Sequence, residues 1–382
     1  MQINYEIIDT PAKLKHIVKH LETVKTVAVD LEADSMYHYK EKVCLLQIST
    51  RYQNALIDPL AVNDLSPLAP LFGDNSVKKI FHGSDYDIRS LHRDFKLEIN
   101  NLFDTQLASM FLGCRQTGLS AVVKKHFNII LEKKFQKKDW SVRPLPENMM
   151  RYAASDTIHL IPLAEILIQE LQKQKRLDWV REECQYLSCM RYPPVNNDPL
   201  FIKFKGAGRL NSQRLNVLEA LLQLRDRIAA GKDRPVFKIF NNRALMEIAY
   251  MQPTSVPQLV KMNVISSRQI NMYANAIIKD VKSAMQTPSH KLPSFPFRKT
   301  SPISQRVHQR IDALKIWRNL KAQHLNLDPG LVCSKSLMTA IARRKIRTPQ
   351  DLHTIAQMHK WRVQAFGDEI TGILQKYIPR TC

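Results

Sequence analysis

Two carboxylates, Asp30 and Glu32, interrupt the apolar stretch TVAVDLEA at residues 26–33. Residues two apart on a β-strand point to the same face, so both side chains would lie beside an apolar run that cannot solvate them. Like charges in such a position repel each other unless a cation lies between them. The pair therefore indicates either a cation site or an exposed strand end, and an isolated D-x-E motif favours the exposed end.

Two further motifs supply carboxylates that helices would hold. In FHGSDYDIRSLHRDF, Asp85 and Asp87 begin a predicted helix. We expect Asp85 to be the N-cap, because an Asp there accepts a hydrogen bond from a free backbone N–H, which leaves Asp87 for chemistry. In MMRYAASDTIHL, Tyr152 and Asp156 are one helical turn apart and share a face. Alone, such a pair is more typical of a surface hydrogen bond than of a site.

Together the three motifs offer four carboxylates, with no His or Cys among them. An oxygen-only ligand set suits hard divalent ions such as Mg²⁺ or Mn²⁺ rather than zinc. It also matches two-metal phosphoryl chemistry, in which two ions about 3.5–4 Å apart bind one phosphodiester. A predicted core strand would then contain Asp30 and Glu32 because metal ions neutralise them.

The elements that must position these residues are read from the apolar pattern. Four short runs predict strands, at residues 26–32, 43–49, 54–59 and 76–82. A helix follows the last strand, so the first part of the chain is predicted to be mixed α/β. After Gly113 the pattern is mainly helical, and residues 146–174 predict one long helix. The prolines of RYPPVNNDP end this pattern.

The second half of the chain contains a repeat of helical segments. QRLNVLEALLQLRDR at 213–227 resembles QRIDALKIWRNLKAQ at 309–323, and ALMEIA is similarly echoed by SLMTAIA. A Pro- and Ser-rich stretch between the copies predicts a semi-extended linker. Two all-helical modules are therefore expected.

Charge divides the chain in the same way. Residues 1–200 contain 26 Lys and Arg against 25 Asp and Glu, whereas residues 201–382 contain 31 against 10. So one-sided an excess favours a polyanion as partner, most often nucleic acid.

The six cysteines are scattered without a C-x-x-C pair, which favours free thiols in a reducing compartment. The sequence shows no signal peptide and no apolar run long enough to span a membrane, so secretion and membrane insertion are not expected.

The motifs VDLEADSMYHYKEKVCLLQIS, FHGSDYDIRSLHRDF and RYAASDTIHL, in this order and spacing, resemble the DEDD superfamily of 3′–5′ exonucleases. They resemble its tyrosine-bearing branch, since the histidine-bearing branch needs His at the position of Arg151. The two helical modules resemble HRDC domains, and a tandem pair after an exonuclease is similar to the arrangement of the ribonuclease D family.

This resemblance implies a fold and a domain organisation. The fold is an α/β ribonuclease H-like exonuclease domain, a mixed sheet with flanking helices, followed by two all-α HRDC helical bundles. The exonuclease domain would span residues 1–192 and the bundles 206–284 and 303–380, joined by a Pro- and Ser-rich linker at 285–302.

The resemblance also implies a site and a function. Asp30, Glu32, Asp87 and Asp156 would bind two divalent metal ions, Mg²⁺ or Mn²⁺, and Tyr152 would orient the attacking water. The chain would be a cytoplasmic 3′–5′ exoribonuclease that trims structured RNAs, above all tRNA precursors, and releases nucleoside 5′-monophosphates. RNA is the expected partner, with no membrane and no obligate protein partner indicated.

Two alternatives stay open. A 3′–5′ DNA exonuclease is one, because four carboxylates do not distinguish ribose from deoxyribose. A non-catalytic RNA-binding protein that uses the basic half alone is the other.

Gln47 is expected to close a hydrogen bond within the sheet. The residues expected to contact RNA are His82 after a predicted strand and the basic run Arg343, Arg344, Lys345 and Arg347.

Overall fold

The structure is a computed structural model, and it describes residues 4–194, 196–296 and 304–377. The chain divides into two compact units. As far as they are described, Met1–Ala33, Val43–Tyr192 and Ser301–Cys382 form the first unit, and Asp34–Lys42 with Pro193–Thr300 form the second.

A six-stranded mixed sheet is the centre of the first unit. Its strands are β1 (Glu6–Ile8), β2 (Thr26–Ala33), β3 (Val43–Ser49), β4 (Asn54–Ile57), β5 (Lys78–Phe81) and β6 (Leu102–Asp104). The strand order is β1-β4-β3-β2-β5-β6, and β3 runs antiparallel to both of its neighbours while the other pairs are parallel. The four predicted strands are confirmed. The pattern missed β1 and β6, which have only three residues each and so show no alternation.

In the described part of the chain, nine α-helices follow or flank these strands. They are α1 (Pro11–Leu21), α2 (Pro59–Val62), α3 (Ala69–Gly73), α4 (Asp85–Phe95), α5 (Thr105–Phe111), α6 (Leu119–Phe127), α7 (Glu147–Ile158), α8 (Leu160–Lys173) and α9 (Leu177–Ser188). The prediction of one long helix over 146–174 was wrong, because α7 and α8 separate at His159. Pro162 explains the break: it has no N–H to donate to the carbonyl four residues earlier and its ring clashes with that carbonyl.

The second unit is a helical bundle. Its helices are α10 (Ser212–Gly231), α11 (Val236–Ile239), α12 (Asn242–Met251), α13 (Val256–Met262) and α14 (Ser267–Met285). Leucines of α10 and isoleucines of α14 form its buried core. The segment Asp34–Lys42, which follows β2 in the chain, belongs to this unit. The Tyr39 hydroxyl donates to Asp226 at 2.8 Å, and His38 Nδ1 lies 2.6 Å from Asp233.

The second helical module belongs to the first unit. Its helices are α15 (Gln305–Leu325), α16 (Pro329–Val332), α17 (Lys335–Ala342) and α18 (Lys360–Gln375). Trp361 at the start of α18 stacks on Trp179 of α9, with ring centroids 4.6 Å apart. Glu183 of α9 accepts hydrogen bonds from Trp361 Nε1 at 2.7 Å and from Arg362 at 2.6 Å. Aromatic packing and a largely buried ion pair therefore join this module to the α/β part of the chain.

These observations confirm the predicted fold class of a mixed α/β part followed by helical modules. The predicted domain boundaries stay predictions. Residues 297–302 of the linker, residue 303, residues 378–380 and Cys382 lie outside the described residues. The five described cysteines are free thiols. None of the helices in the described ranges combines the length and apolarity that crossing a bilayer requires.

Candidate active site

The central strand β2 brings Asp30 and Glu32 to one cavity. β2 is paired on both sides, by β3 and β5, so its backbone is fixed. Both carboxylates line a cavity of about 430 Å³ together with Tyr152 and Asp156 of α7. The carboxylates of Asp30, Glu32 and Asp156 thus meet around one space, as the D-x-E spacing and the helical spacing predict.

Asp87, from the motif FHGSDYDIRSLHRDF, is buried, with 8% of its surface exposed, and its charge acts on Glu32. The helix that contains Asp87, α4, has a different N-cap residue from the one predicted. Ser84, not Asp85, occupies the N-cap position, and Asp85 lies in the first turn, where it forms an ion pair with Arg89 four residues on. The expectation that Asp85 is the N-cap was therefore wrong, because the chain enters the helix one residue earlier and an i, i+4 arginine attracts the carboxylate.

The turn before α4 is held by Asp104, a residue that the sequence reasoning missed. Its buried carboxylate accepts hydrogen bonds from the backbone N–H groups of Gly83 at 3.0 Å and Ser84 at 2.7 Å, and from the Ser84 hydroxyl at 2.8 Å. It also caps α5 by accepting from Gln106 and Leu107. Charge-assisted bonds of this kind are the strong ones, so Asp104 fixes the start of the helix that holds Asp87.

Aromatic packing against Phe135 and Trp140 holds the ring of Tyr152 in place. Its ring centroid lies 5.7 Å from that of Phe135 and 6.1 Å from that of Trp140, and all three residues are buried. Its hydroxyl lies close enough to Asp156 to hydrogen-bond with that carboxylate. Burial and the nearby carboxylates raise the Tyr152 pKa, so its phenol stays protonated at neutral pH.

The carboxylates strongly disfavour one another's charge. Burial raises the pKa of Asp30 to about 7. The pKa values of Glu32, Asp87 and Asp156 are raised well above their ordinary range, first by burial and then by the charges of neighbouring carboxylates. No lysine or arginine in the described ranges offsets this repulsion. The site therefore has an unmet need for positive charge.

Divalent cations fit that need chemically, because the donor set is all oxygen and anionic. Within the described part of the chain, no group of three or more His, Cys, Asp or Glu is arranged so that it could hold an ion as it stands. The observation that supports a metal site is thus the electrostatic imbalance of four acids, two buried and two half-buried, and not a preformed coordination shell.

The residues predicted to contact RNA fall in different places. His82 lines the cavity, and its Nδ1 lies 2.9 Å from the Thr105 hydroxyl. Burial lowers the His82 pKa, which favours the neutral ring. The run Arg343, Arg344, Lys345 and Arg347 follows α17 and does not line the cavity. The Arg344 guanidinium donates to Thr354. The role of these basic residues stays a prediction.

Sequence reasoning missed several residues that line the cavity: Gln106, Ser120, Lys133 and Gln136. The lysine-rich run KKFQKKD could have drawn attention to the last two. The prediction for Gln47 was wrong. This residue lies directly opposite Asp30 on β3 and is fully buried. Neither amide atom of Gln47 has a hydrogen-bond partner among the described residues, so the expected bond within the sheet is not formed.

Family models match most of the chain. One described as 3′–5′ exonuclease matches residues 5–172. The HRDC domain model matches twice, at residues 214–281 and 307–374. The succession of one exonuclease domain and two HRDC domains is the one that the sequence motifs predict.

Curated relatives fall into two groups. A ribonuclease D from Psychromonas ingrahamii is 30% identical over 312 residues, which cover 80% of this chain and 84% of that protein. Protein RRP6-like 1 of Arabidopsis thaliana is 32% identical over 73% of this chain. The chain spans about half or less of such longer relatives, 47% of RRP6-like 1 and 34% of RRP6-like 2.

Solved structures share the fold. Escherichia coli RNase D superposes with a TM-score of 0.74 at 23% identity, covering 98% of this chain and all of that chain. The catalytic core of RRP6 from Trypanosoma brucei is 32% identical, with a TM-score of 0.65 over 75% of this chain and 81% of that one. Since an exonuclease domain and two HRDC domains are present, and a ribonuclease D matches at 30% identity over most of both chains, this chain belongs to the ribonuclease D family.

Proposed function

We propose that this chain is a 3′–5′ exoribonuclease that trims the 3′ ends of structured RNAs, with tRNA precursors as its main substrates. One observation supports this most directly. The half-buried carboxylates of Asp30 and Glu32 and the buried carboxylate of Asp156, with Tyr152 beside them, line one cavity, and the charge of Asp87 acts on Glu32. The reaction is hydrolysis of the last phosphodiester, which releases a nucleoside 5′-monophosphate.

The side chains divide the work. Asp30, Glu32, Asp87 and Asp156 would hold two divalent ions, Mg²⁺ or Mn²⁺. When bound, such ions supply positive charge that offsets the phosphate and makes water easier to deprotonate. Tyr152 keeps its proton and hydrogen-bonds to the attacking water, so it orients the water rather than acting as a base. Water adds to phosphorus, the bond from phosphorus to the upstream O3′ breaks, and that oxygen takes up a proton.

The assignment to RNA draws on relatives. The E. coli protein with the same fold is an exoribonuclease involved in structured RNA processing. The excess of Lys and Arg in residues 201–382 suits an anionic substrate. The five free cysteines are compatible with the reducing cytoplasm, where we place the activity.

The test is digestion of a 5′-labelled tRNA with a 3′ extension and of a DNA strand of matched sequence, each with Mg²⁺, with Mn²⁺ and with EDTA. Wild type is compared with Asp30→Asn, which removes one charge at nearly constant shape. We expect stepwise shortening of the RNA from its 3′ end that requires metal and Asp30. Hydrolysis should fall by at least about 10³-fold in Asp30→Asn, while RNA binding and circular dichroism remain unchanged.

Other outcomes would redirect the assignment. Preferential shortening of the DNA strand would identify a DNA exonuclease instead. Tight RNA binding without metal-dependent shortening of either strand would leave a binding protein. Loss of binding in Asp30→Asn, equal to its loss of hydrolysis, would count against the metal-ligand role of Asp30.

A further inference from the structure

The cavity that contains the carboxylates has a wall of different charge. Leu131, Glu132, Lys133 and Gln136 line it from the segment between α6 and α7, together with Ser120 at the start of α6. Lys133 is the single lysine or arginine among the described residues that line this cavity. The cavity is thus lined by the acids Asp30, Glu32 and Asp156 and by one cation.

This wall is fixed rather than loosely attached. The backbone carbonyl of Leu131 accepts a hydrogen bond from the Ser120 hydroxyl at 3.4 Å. Phe135 is 7% exposed and packs on Tyr152, and the backbone N–H of Lys138 closes a turn onto the Phe135 carbonyl at 3.0 Å. A side chain on a segment anchored at both ends is pre-organised, so less ordering entropy opposes a contact with a ligand.

Lys133 is available for such a contact. It is exposed, and it forms no ion pair or hydrogen bond with any residue that the structure describes. Its neighbour Lys134, by contrast, lies 5.6 Å from the centre of the Phe135 ring, on which it packs. Glu132 lines the same cavity and would repel an anion, so the attraction for an anion on this segment comes from Lys133 alone among the residues that line the cavity.

The chemistry of an RNA 3′ end identifies the phosphate that Lys133 would contact. The scissile phosphate belongs beside the carboxylates. The 3′-terminal nucleotide ends in a hydroxyl, so no phosphate lies beyond it. The only other phosphate within one nucleotide of the scissile bond is the next one upstream. Resting on the proposed function, we propose that Lys133 binds this upstream phosphate and positions the strand for cleavage.

Short RNAs test this assignment, because a dinucleotide with hydroxyl ends contains one phosphate and a trinucleotide contains two. Lys133→Gln removes the charge and keeps much of the length of the side chain. The matched control is Lys173→Gln, an exposed lysine in the last turn of α8. Hydrolysis of both RNAs is measured with the full chain and Mg²⁺.

We expect Lys133→Gln to lower kcat/KM for the trinucleotide by about tenfold, mainly through a higher KM, since a charge-assisted contact of modest strength is lost. The dinucleotide should change by less than about twofold, as should both RNAs with Lys173→Gln. Binding of a longer RNA should lose about one unit of salt dependence in Lys133→Gln.

The outcomes separate this inference from the proposed function. If wild type cleaves both RNAs and Lys133→Gln behaves like Lys173→Gln, the inference is wrong and the proposed function stands. An equal loss on dinucleotide and trinucleotide would also overturn it, because Lys133 would then act at the scissile phosphate. A wild type that cleaves neither short RNA and also leaves the 3′-extended tRNA intact would remove the proposed function and this inference together.

Discussion

Asp30 illustrates at the scale of one residue how a site opposes the stability of its own fold. Its carboxylate is half-buried beside other acids, and desolvation raises its pKa to about 7 from an ordinary 3.8. Between these two values the folded protein binds the proton more tightly than the unfolded chain does. The stability of the metal-free protein therefore falls as pH rises through this window.

We predict that Asp30→Asn stabilises the metal-free protein at pH 8, by on the order of 1–2 kcal/mol in the free energy of unfolding. The gain should shrink towards pH 5, where the wild-type side chain takes up its proton. Thermal unfolding in EDTA at both pH values measures this.

The control for that comparison is Asp178→Asn, a change at an aspartate that is 87% exposed. It should alter stability little at either pH. Added Mg²⁺ should then raise the melting temperature of wild type more than that of Asp30→Asn. An Asp30→Asn protein less stable than wild type in EDTA at pH 8 would contradict the charge repulsion described above.

At the scale of elements, two acids of α9, Glu182 and Glu183, hold the start of α18, and Glu183 is the one that pairs with a buried arginine. Burial alone would raise the Glu183 pKa, but hydrogen bonds from His359 and Trp361 and the charge of Arg362 outweigh it and lower the pKa. The stabilising contribution is therefore present above the ordinary glutamate pKa and is lost as pH falls through the lowered value.

Glu183→Gln should destabilise the first unit by about 2–4 kcal/mol at pH 7, because it leaves Arg362 buried without its counter-charge. Tryptophan fluorescence during denaturation measures this selectively, since Trp140, Trp179, Trp317 and Trp361 all belong to the first unit. The matched control is Glu98→Gln, whose side chain is 70% exposed. Equal midpoints for the two variants would show that the Glu183 contacts contribute little.

Over the whole molecule, positive charge is shared between the units. Residues 201–300 contain 17 Lys and Arg against 5 Asp and Glu, and residues 301–382 contain 14 against 5. The first stretch belongs to the second unit and the last to the first unit. Both units therefore contain an excess of Lys and Arg over Asp and Glu.

RNA binding should consequently weaken by at least about tenfold between 50 and 200 mM salt, because each neutralised phosphate releases counterions. Asp30→Asn in EDTA permits the measurement without cleavage. An oligonucleotide of the same sequence with uncharged methylphosphonate linkages is the control and should bind weakly with little salt dependence. A flat profile for the RNA would show that the basic residues are only a solvated surface.

How far the sequence predicts such a molecule depends on the range of the interactions. Short apolar runs located β2 and β3, and motif spacing located Asp30, Glu32, Tyr152 and Asp156 around one cavity. The break between α7 and α8 was missed although Pro162 marks it in the sequence. The start of α4 was missed because it depends on the ion pair between Asp85 and Arg89 and on the residue at which the chain enters the helix. The membership of the second module in the first unit was missed because it depends on Trp179 and Glu183, far from α18 in sequence.

The segment Asp34–Lys42 has a consequence for how the protein is made. It leaves the ribosome early, directly after β2, yet Tyr39 bonds to Asp226, which is 187 residues later. At typical rates of translation the nascent segment waits roughly 10–40 s for that partner. The first unit likewise receives α15–α18 last. Neither unit can complete its packing while synthesis is at an early stage, so a chaperone that shields Tyr39 and Trp179 during elongation should raise the yield of native protein.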